Sequence, residues 1–160
     1  MSADCLFVLQ KCTNFDKLKR ELSDYARDKE IGVWFTPHDA LLECKQIELD
    51  DKTFLFEPTD EPGSISTGLL LVPDYYSING KKPDRPFTQR AQILQELAKI
   101  GLQYASWLEI YISEDNPYLP DYTMYTIEPN EIMALLMREE VKIDRRLEPI
   151  PCICIRVIGS

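Results

Sequence analysis

The segment between Tyr104 and Glu131 constrains the fold more than any other, because a strand-like pattern there runs directly into residues that form loops. In Leu108, Ile110 and Ile112 every second side chain is apolar, which is the period of a strand with one face against a core. Residues 114–121 then contain two prolines, one asparagine and three acidic residues, which favour turns or interrupt strand pairing. The segment therefore predicts a buried strand that ends in a surface loop.

Helical periodicity appears in three places. Apolar residues recur at helical spacing over residues 15–29 and 87–104, with Arg90 on the polar side of the second segment. The sequence from Thr13 to Asp16 has the form of a capping box before the first helix. A third helix begins near Pro129, which suits a first helical turn. Its predicted inward residues are Ile132, Leu135, Leu136 and Met137.

Short apolar or alternating runs predict the strands, which lie at residues 6–9, 33–35, 47–49, 53–56, 68–72, 107–112, 122–127 and 152–158. We expect residues 47–49 and 53–56 to form one hairpin, and residues 107–112 and 122–127 to form a wide one. The aliphatic run at 68–72 predicts a central strand covered on both faces. Residues 58–64 and 73–86, which are rich in proline and other turn residues, are predicted to be exposed loops.

These elements predict the fold class and the domain count. A chain of 160 residues has the size of one domain, and no shift in composition marks a boundary within it. We therefore expect residues 1–160 to form a single α+β domain. Its mixed or antiparallel sheet should have about five to seven strands, accompanied by about three helices.

The short apolar runs, the first residues and the cysteines together predict a cytoplasmic protein without a metal or cofactor. The apolar runs fall far short of the roughly 20 residues that span a bilayer, and the first residues lack the basic region of a signal peptide. Five cysteines are an odd number, which argues against a disulfide framework. Cys152 and Cys154 share one face of a predicted strand, but neither has the partner pair that a zinc site requires.

The net charge of −9 is concentrated in two segments and predicts the kind of partner. Residues 53–80 and 100–137 contain no Lys or Arg and carry net charges of −4 and −6, whereas the rest of the chain is close to neutral. Nucleic acids and anionic membranes attract cationic proteins, so neither is an expected partner. If the fold brings the two segments together, they form an acidic surface suited to a basic protein.

Tyrosines accompany the acids, and tyrosine is enriched in protein interfaces. The predicted partner surface comprises Glu61, Asp74, Tyr75, Tyr76, Glu114, Asp115, Tyr118, Asp121 and Tyr122. Tyr118 and Tyr122 are the predicted anchors. An intracellular inhibitor of a cationic enzyme, such as an immunity protein that blocks a nuclease toxin, would share this small size and acidity; the likeness is one of type and rests on no motif.

Two alternatives remain open at this stage. In the first, Glu114, Asp115 and Asp121 form the carboxylate cluster of a metal-dependent hydrolase. Pro120-Asp121 followed by Glu140-Val-Lys142 has the form of a nuclease motif, but the segment lacks the cations that would hold phosphates. In the second, the acids merely maintain solubility, and Tyr111 and Tyr125 are cross-strand partners.

Other catalytic signatures are absent from the sequence. It contains no Walker A loop, no G-x-G-x-x-G fingerprint, no nucleophile elbow and no H-E-x-x-H motif. His38, the one histidine, lies between Pro37 and Asp39, which favours a turn residue over a member of a catalytic triad. We therefore expect no catalytic residue.

Overall fold

The strands form one mixed sheet in a computed structural model that describes residues 4–38, 48–63, 85–113, 123–138 and 153–159. In chain order the elements are β1 (Asp4–Gln10), α1 (Phe15–Asp28), β2 (Gly32–Phe35), β3 (Phe54–Thr59), α2 (Phe87–Leu102), β4 (Trp107–Ser113), β5 (Thr123–Ile127), a 3-10 turn (Pro129–Glu131), α3 (Ile132–Leu136) and β6 (Ile153–Ile158). The described part of the chain thus has six strands and three helices. The predicted fold class, a single α+β domain with a mixed sheet, is confirmed.

The strand order is β2-β3-β1-β4-β6-β5. Neighbouring strands are antiparallel, except that β5 runs parallel to β6. The central strand, β1, is a nearly continuous apolar run with both faces buried: Leu6 and Val8 lie on one face, Phe7 and Leu9 on the other. Burial on both faces explains why its sequence does not alternate.

All three helices cover one face of the sheet, which we call the helix face. Its core comprises Phe7, Leu9, Phe56, Ile110 and Ile155 together with the apolar sides of the helices. The other side, which we call the opposite face, carries a smaller buried cluster formed by Leu6, Val8, Leu55, Tyr111 and Cys154. Both faces of the middle strands are therefore withdrawn from water. None of the described helices has the length and apolarity needed to cross a bilayer.

Helix α1 has the predicted extent, but its cap lies one residue later than expected. Asn14, not Thr13, is the N-cap; its backbone is left-handed, with φ at 55°, and its side-chain oxygen accepts from the amide of Lys17 at 3.4 Å. The amide of Thr13 instead donates to the carbonyl of Tyr104 at 2.8 Å. This tertiary contact fixes the chain before the helix, and Asn tolerates left-handed geometry better than most residues do.

The predicted apolar stripe of α2 is confirmed, but the placement of Arg90 on a polar side is wrong. Arg90 is fully buried, and its guanidinium carbon lies 5.6 Å from the centre of the Phe87 ring. The reason is that α2 packs against the sheet and also against α1 and α3. Contact on both flanks buries a wider sector of the helix than one amphipathic stripe does.

The predicted wide hairpin is wrong, because β6 lies between β4 and β5. β4 pairs with β6 in antiparallel register, Ile110 opposite Ile155, and β5 follows on the far side of β6. Tyr111 and Tyr125 are therefore not cross-strand partners. Because β6 lies between β4 and β5, its residues Ile153, Ile155 and Val157 are buried beneath the helices. A direct hairpin of β4 and β5 would leave these three side chains unburied.

In α3, Met137 is 40% exposed and not inward as predicted.

The prediction of a hairpin before β3 is also wrong. Residues 48–50 form no strand, and Thr53 closes a turn through its hydroxyl, 3.1 Å from Asp50 Oδ1. β3 then continues through Pro58 to Thr59, in place of the predicted exposed loop. Pro58 is tolerated because the β1 pairing ends at Phe56 and Pro58 lies opposite Val33 of β2. The predicted strand at 68–72 lies outside the described residues.

Gly32, the first residue of β2, packs too closely for a side chain. A Cβ there would meet Thr59 Oγ1 and would lie 2.6 Å from the carbonyl oxygen of Glu61. We predict that Gly32→Ala lowers the free energy of unfolding by about 1–3 kcal/mol through overpacking. Urea denaturation measures the change. Gly159→Ala is the matched control, because nothing lies within 4 Å of its Cβ; equal stability of the two variants would contradict the prediction.

Candidate functional site

Both acidic segments are attached to the same end of the sheet. β3 and β4 are each antiparallel to β1, so both strands end beside the start of β1. β5 and β6 begin at this end as well, since Ile153 pairs with both Ile112 and Thr123. We call this edge the loop end. One strand separates β3 from β4, so their last residues are about 10 Å apart at the usual strand spacing.

Of the residues predicted for the partner surface, Glu61 lies in the described part of the chain, directly after β3, and is exposed. The other eight, Asp74, Tyr75, Tyr76, Glu114, Asp115, Tyr118, Asp121 and Tyr122, lie outside the described residues. The structure therefore fixes where these segments leave the sheet, and where the chain continues: at Arg85 before α2 for the first segment and at Thr123 of β5 for the second. Their convergence stays a prediction.

One acid of the first segment, Asp60, is internal and neutralised. Asp60 is 5% exposed, and its carboxylate accepts from Arg85 Nη1 at 3.0 Å. The other terminal nitrogen of Arg85 donates to the carbonyls of Lys29, at 3.0 Å, and Glu30, at 2.8 Å. This arginine clamp joins the C-terminus of α1, the end of β3 and the chain just before α2. Sequence reasoning missed it because the partners are 25 residues apart.

The clamp also closes the base of the first acidic segment. Asp60 precedes residues 61–84 and Arg85 follows them, so a buried ion pair holds the two ends of this connection together; it contains the acidic residues 61–80 and also Lys81 and Lys82. Lys29, at the C-terminus of α1, lies 3.8 Å from Asp28 and over the ring of Tyr25. Arg85 and Lys29 are thus both engaged within the molecule.

One acid of the second segment, Glu109, is internal as well. Glu109 is 7% exposed on the opposite face, where its carboxylate lies 3.5 Å from Arg156 of β6. It also accepts from the hydroxyl of Tyr111, at 3.2 Å, and from the thiol of Cys154, at 3.4 Å. Arg156 in turn stacks on Trp107, 4.6 Å from the ring centroid. These contacts join β4 and β6 through their side chains on the opposite face.

Burial keeps this cluster chemically inert. It raises the pKa of the Tyr111 hydroxyl far above its usual value, and Cys154 and Glu109 raise it further. Burial, followed by the charge of Glu109, does the same to the pKa of the Cys154 thiol. A thiol held protonated is a poor nucleophile and a poor metal ligand. The buried thiols of Cys5, Cys12 and Cys154 thus act as small core residues; Cys152 lies outside the described residues.

The exposed acids of the second segment include Glu128, which caps the 3-10 turn, and Glu131, its last residue. The two form a reciprocal capping box, in which the Glu131 carboxylate accepts from the amide of Glu128 at 3.4 Å. The carboxylates of both residues remain exposed while the box satisfies backbone amides. Both residues follow the end of β5, which lies beside the end of β1 and opposite the loop end, so this pair of acids is separate from the loop end.

Catalytic groups do not converge in the described part of the chain. No three His, Cys, Asp or Glu residues there are placed to hold a metal ion. His38, at the end of β2, uses Nε2 to donate to the carbonyl of Thr53 at 2.7 Å, which gives it the structural role expected from the sequence. Glu114, Asp115 and Asp121, the carboxylates of the hydrolase alternative, lie outside the described residues.

No family model, characterised protein or solved structure matches the chain significantly.

We predict that the arginine clamp contributes strongly to stability. Arg85→Ala removes the cation that neutralises buried Asp60, and breaking a buried pair in this way costs about 3–5 kcal/mol of unfolding free energy. Thermal and urea denaturation measure the loss. Arg27→Ala is the matched control, because its ion pair with Asp24 is 79% and 60% exposed and such pairs contribute about 0–1 kcal/mol. A loss for Arg85→Ala no larger than the control's would contradict the assignment.

We also predict a loss of stability at alkaline pH that depends on Tyr111. An unfolded tyrosine ionises near pH 10.0, whereas folded Tyr111 keeps its proton well above that pH. Its contribution is complete below pH 10 and falls above it by about 1.4 kcal/mol per pH unit. Urea denaturation between pH 9 and pH 11.5 should therefore show a steeper decline for the wild type than for Tyr111→Phe. Parallel declines would contradict the burial of this hydroxyl.

Proposed function

We propose that the chain is a non-enzymatic interaction module whose loop end binds a basic protein. The observation that supports this most is topological: two segments without Lys or Arg leave the sheet on either side of β1 and about 10 Å apart. At physiological salt the screening length is about 8 Å, so charges at that spacing interact only weakly with each other, and the two segments act together by meeting the same surface of a partner. An inhibitor of a cationic enzyme, such as an immunity-type protein, is the specific form of partnership that we propose.

The internal neutralisation of Asp60 and Glu109 sharpens this proposal. Those two acids maintain the fold, so the partner surface consists of the remaining acids, of which Glu61 is exposed just beyond the clamp. A clamped base also limits the entropy that a long segment loses on binding, because its ends are already held together. The surface thus combines a rigid support with negative charge that steers association.

The proposal predicts binding that depends on salt and on individual charges. Glu61→Lys, directly after β3, and Asp115→Lys, two residues beyond the end of β4, should each slow the association of a basic protein captured on the immobilised chain at low salt by about tenfold, because rim charges act mainly on the association rate. Surface plasmon resonance at two salt concentrations measures the rates. The wild-type rate should fall as salt rises, and the variants should lose part of that dependence.

Asp51→Lys is the matched control. Asp51 is exposed in the turn before β3, at the other end of a strand about 20 Å long, and it carries the same change of charge. Its association rate should equal that of the wild type. An equal effect of all three substitutions would indicate a diffuse charge effect and contradict a localised surface. Failure to capture a basic protein at low salt would contradict the proposal itself.

A further inference from the structure

The edge strand β5 is open to solvent. It pairs with β6, and in the described part of the chain it pairs with no other strand. Thr123, Met124 and Thr126 are exposed, and Met124 is 53% exposed on the opposite face. Alternate residues of such a strand direct their amide and carbonyl groups away from the sheet. β5 therefore presents an unused row of backbone donors and acceptors.

Within Thr123–Ile127 itself, β5 lacks the charges and prolines by which proteins block an edge. Natural edges are protected by lysines, prolines, bulges or a covering element, yet Thr123–Ile127 contains no charge and no proline. The other edge strand, β2, differs: Val33, Trp34 and Phe35 are half-buried, and the ammonium of Lys19 lies 5.8 Å from the centre of the Phe35 ring. An unprotected edge on one side only indicates a surface that pairs with something.

The charges around β5 indicate what it pairs with. Glu128 and Glu131 are exposed immediately after the strand, and no Lys or Arg occurs between residues 100 and 137. The cation on the adjacent strand, Arg156, is already engaged by Glu109 and Trp107, and Arg138 lies beyond α3. A second copy of this chain is a poor candidate, because two copies would each bring a net charge of −9. An extended segment with basic flanks fits better.

We propose that β5 accepts an extended, Lys- or Arg-flanked segment of the partner protein as an additional strand. Backbone hydrogen bonds to the edge supply the pairing, as in other cases of strand addition. Glu128 and Glu131 attract the basic flank. Met124, whose flexible side chain adapts to different neighbours, contacts alternate side chains of the added strand. The inference rests on the proposed function and assigns the partner a second point of attachment, away from the loops.

The test uses a defined probe: a peptide of alternating Thr and Val residues with two lysines at each end. Amide hydrogen exchange, followed residue by residue by NMR, should slow by about tenfold or more for the outward amides of β5 when the peptide saturates the protein. The same peptide with glutamates in place of the lysines should bind about tenfold more weakly. A version methylated on its backbone nitrogens, which cannot pair with an edge, should give no protection.

Thr126→Lys tests the protein side of the contact. A lysine on the exposed edge opposes further pairing and repels the basic flank, so the affinity for the lysine-flanked peptide should fall by about tenfold. Gln92→Lys is the matched control, since it adds the same charge at an exposed position of α2. Its affinity should equal that of the wild type, and both variants should keep the wild-type melting temperature.

Several results would overturn the inference. In the first, the lysine-flanked peptide at about 1 mM, the weak end of specific affinity, gives residues 123–127 no protection from exchange. In the second, the glutamate-flanked peptide binds equally well. In the third, β5 becomes protected through dimerisation when no peptide is present. A captured basic partner that binds Thr126→Lys as well as the wild type would overturn strand addition and leave the proposed function intact. Failure to capture any basic protein at low salt would instead contradict the proposed function.

Discussion

The antiparallel pairing of β1 with both of its neighbours determines the rest of the arrangement. Because β3 and β4 flank one buried strand and run the same way, both must end at the start of β1. That constraint makes both acidic segments start at the loop end, and it does not require the segments to contact each other. This arrangement depends on the burial of both faces of β1 from Leu6 to Leu9. If β1 were apolar on the helix face alone, its opposite face would need no cover.

Among the acids that the structure describes in the two acidic segments, two groups with different roles can be distinguished. Asp60 and Glu109 are buried against arginines and join elements that are distant in sequence. Glu61, Glu128 and Glu131 are exposed and leave their charge available to solvent and to a partner. A net charge read from composition combines the two groups, and therefore overstates the charge that a partner meets. Only the exposed acids are therefore available to interact with a partner.

Local patterns were sufficient to predict α1, α2, β1, β4 and β6, because each has apolar residues at a clear helical or strand period. Partners distant in sequence were not predictable in the same way. The insertion of β6 between β4 and β5 follows from burial of Ile153, Ile155 and Val157, and the complete burial of Arg90 follows from packing on both flanks of α2. Each depends on contacts that no window of the sequence contains.

The candidate site was predictable to a similar degree. The absence of cations from two segments is a property of the sequence, and the topology now gives these segments a shared end. The clamp by Arg85 could not be foreseen, because nothing near Arg85 in the chain marks Asp60 as its partner. Pro58 was misleading for a related reason: proline ends most strands, but here the pairing that needs its amide has already ended at Phe56.

Paramagnetic relaxation tests the central claim, convergence of the acidic segments at the loop end, most directly. A spin label on Glu61→Cys, with Cys44 and Cys152 replaced by Ser, leaves Cys5, Cys12 and Cys154 unlabelled because they are buried. The account predicts strong broadening of the amide signals of residues 114–122, because β4, the strand that precedes them, lies about 10 Å from β3. Unbroadened signals from that segment would place the two acidic segments apart and contradict the account.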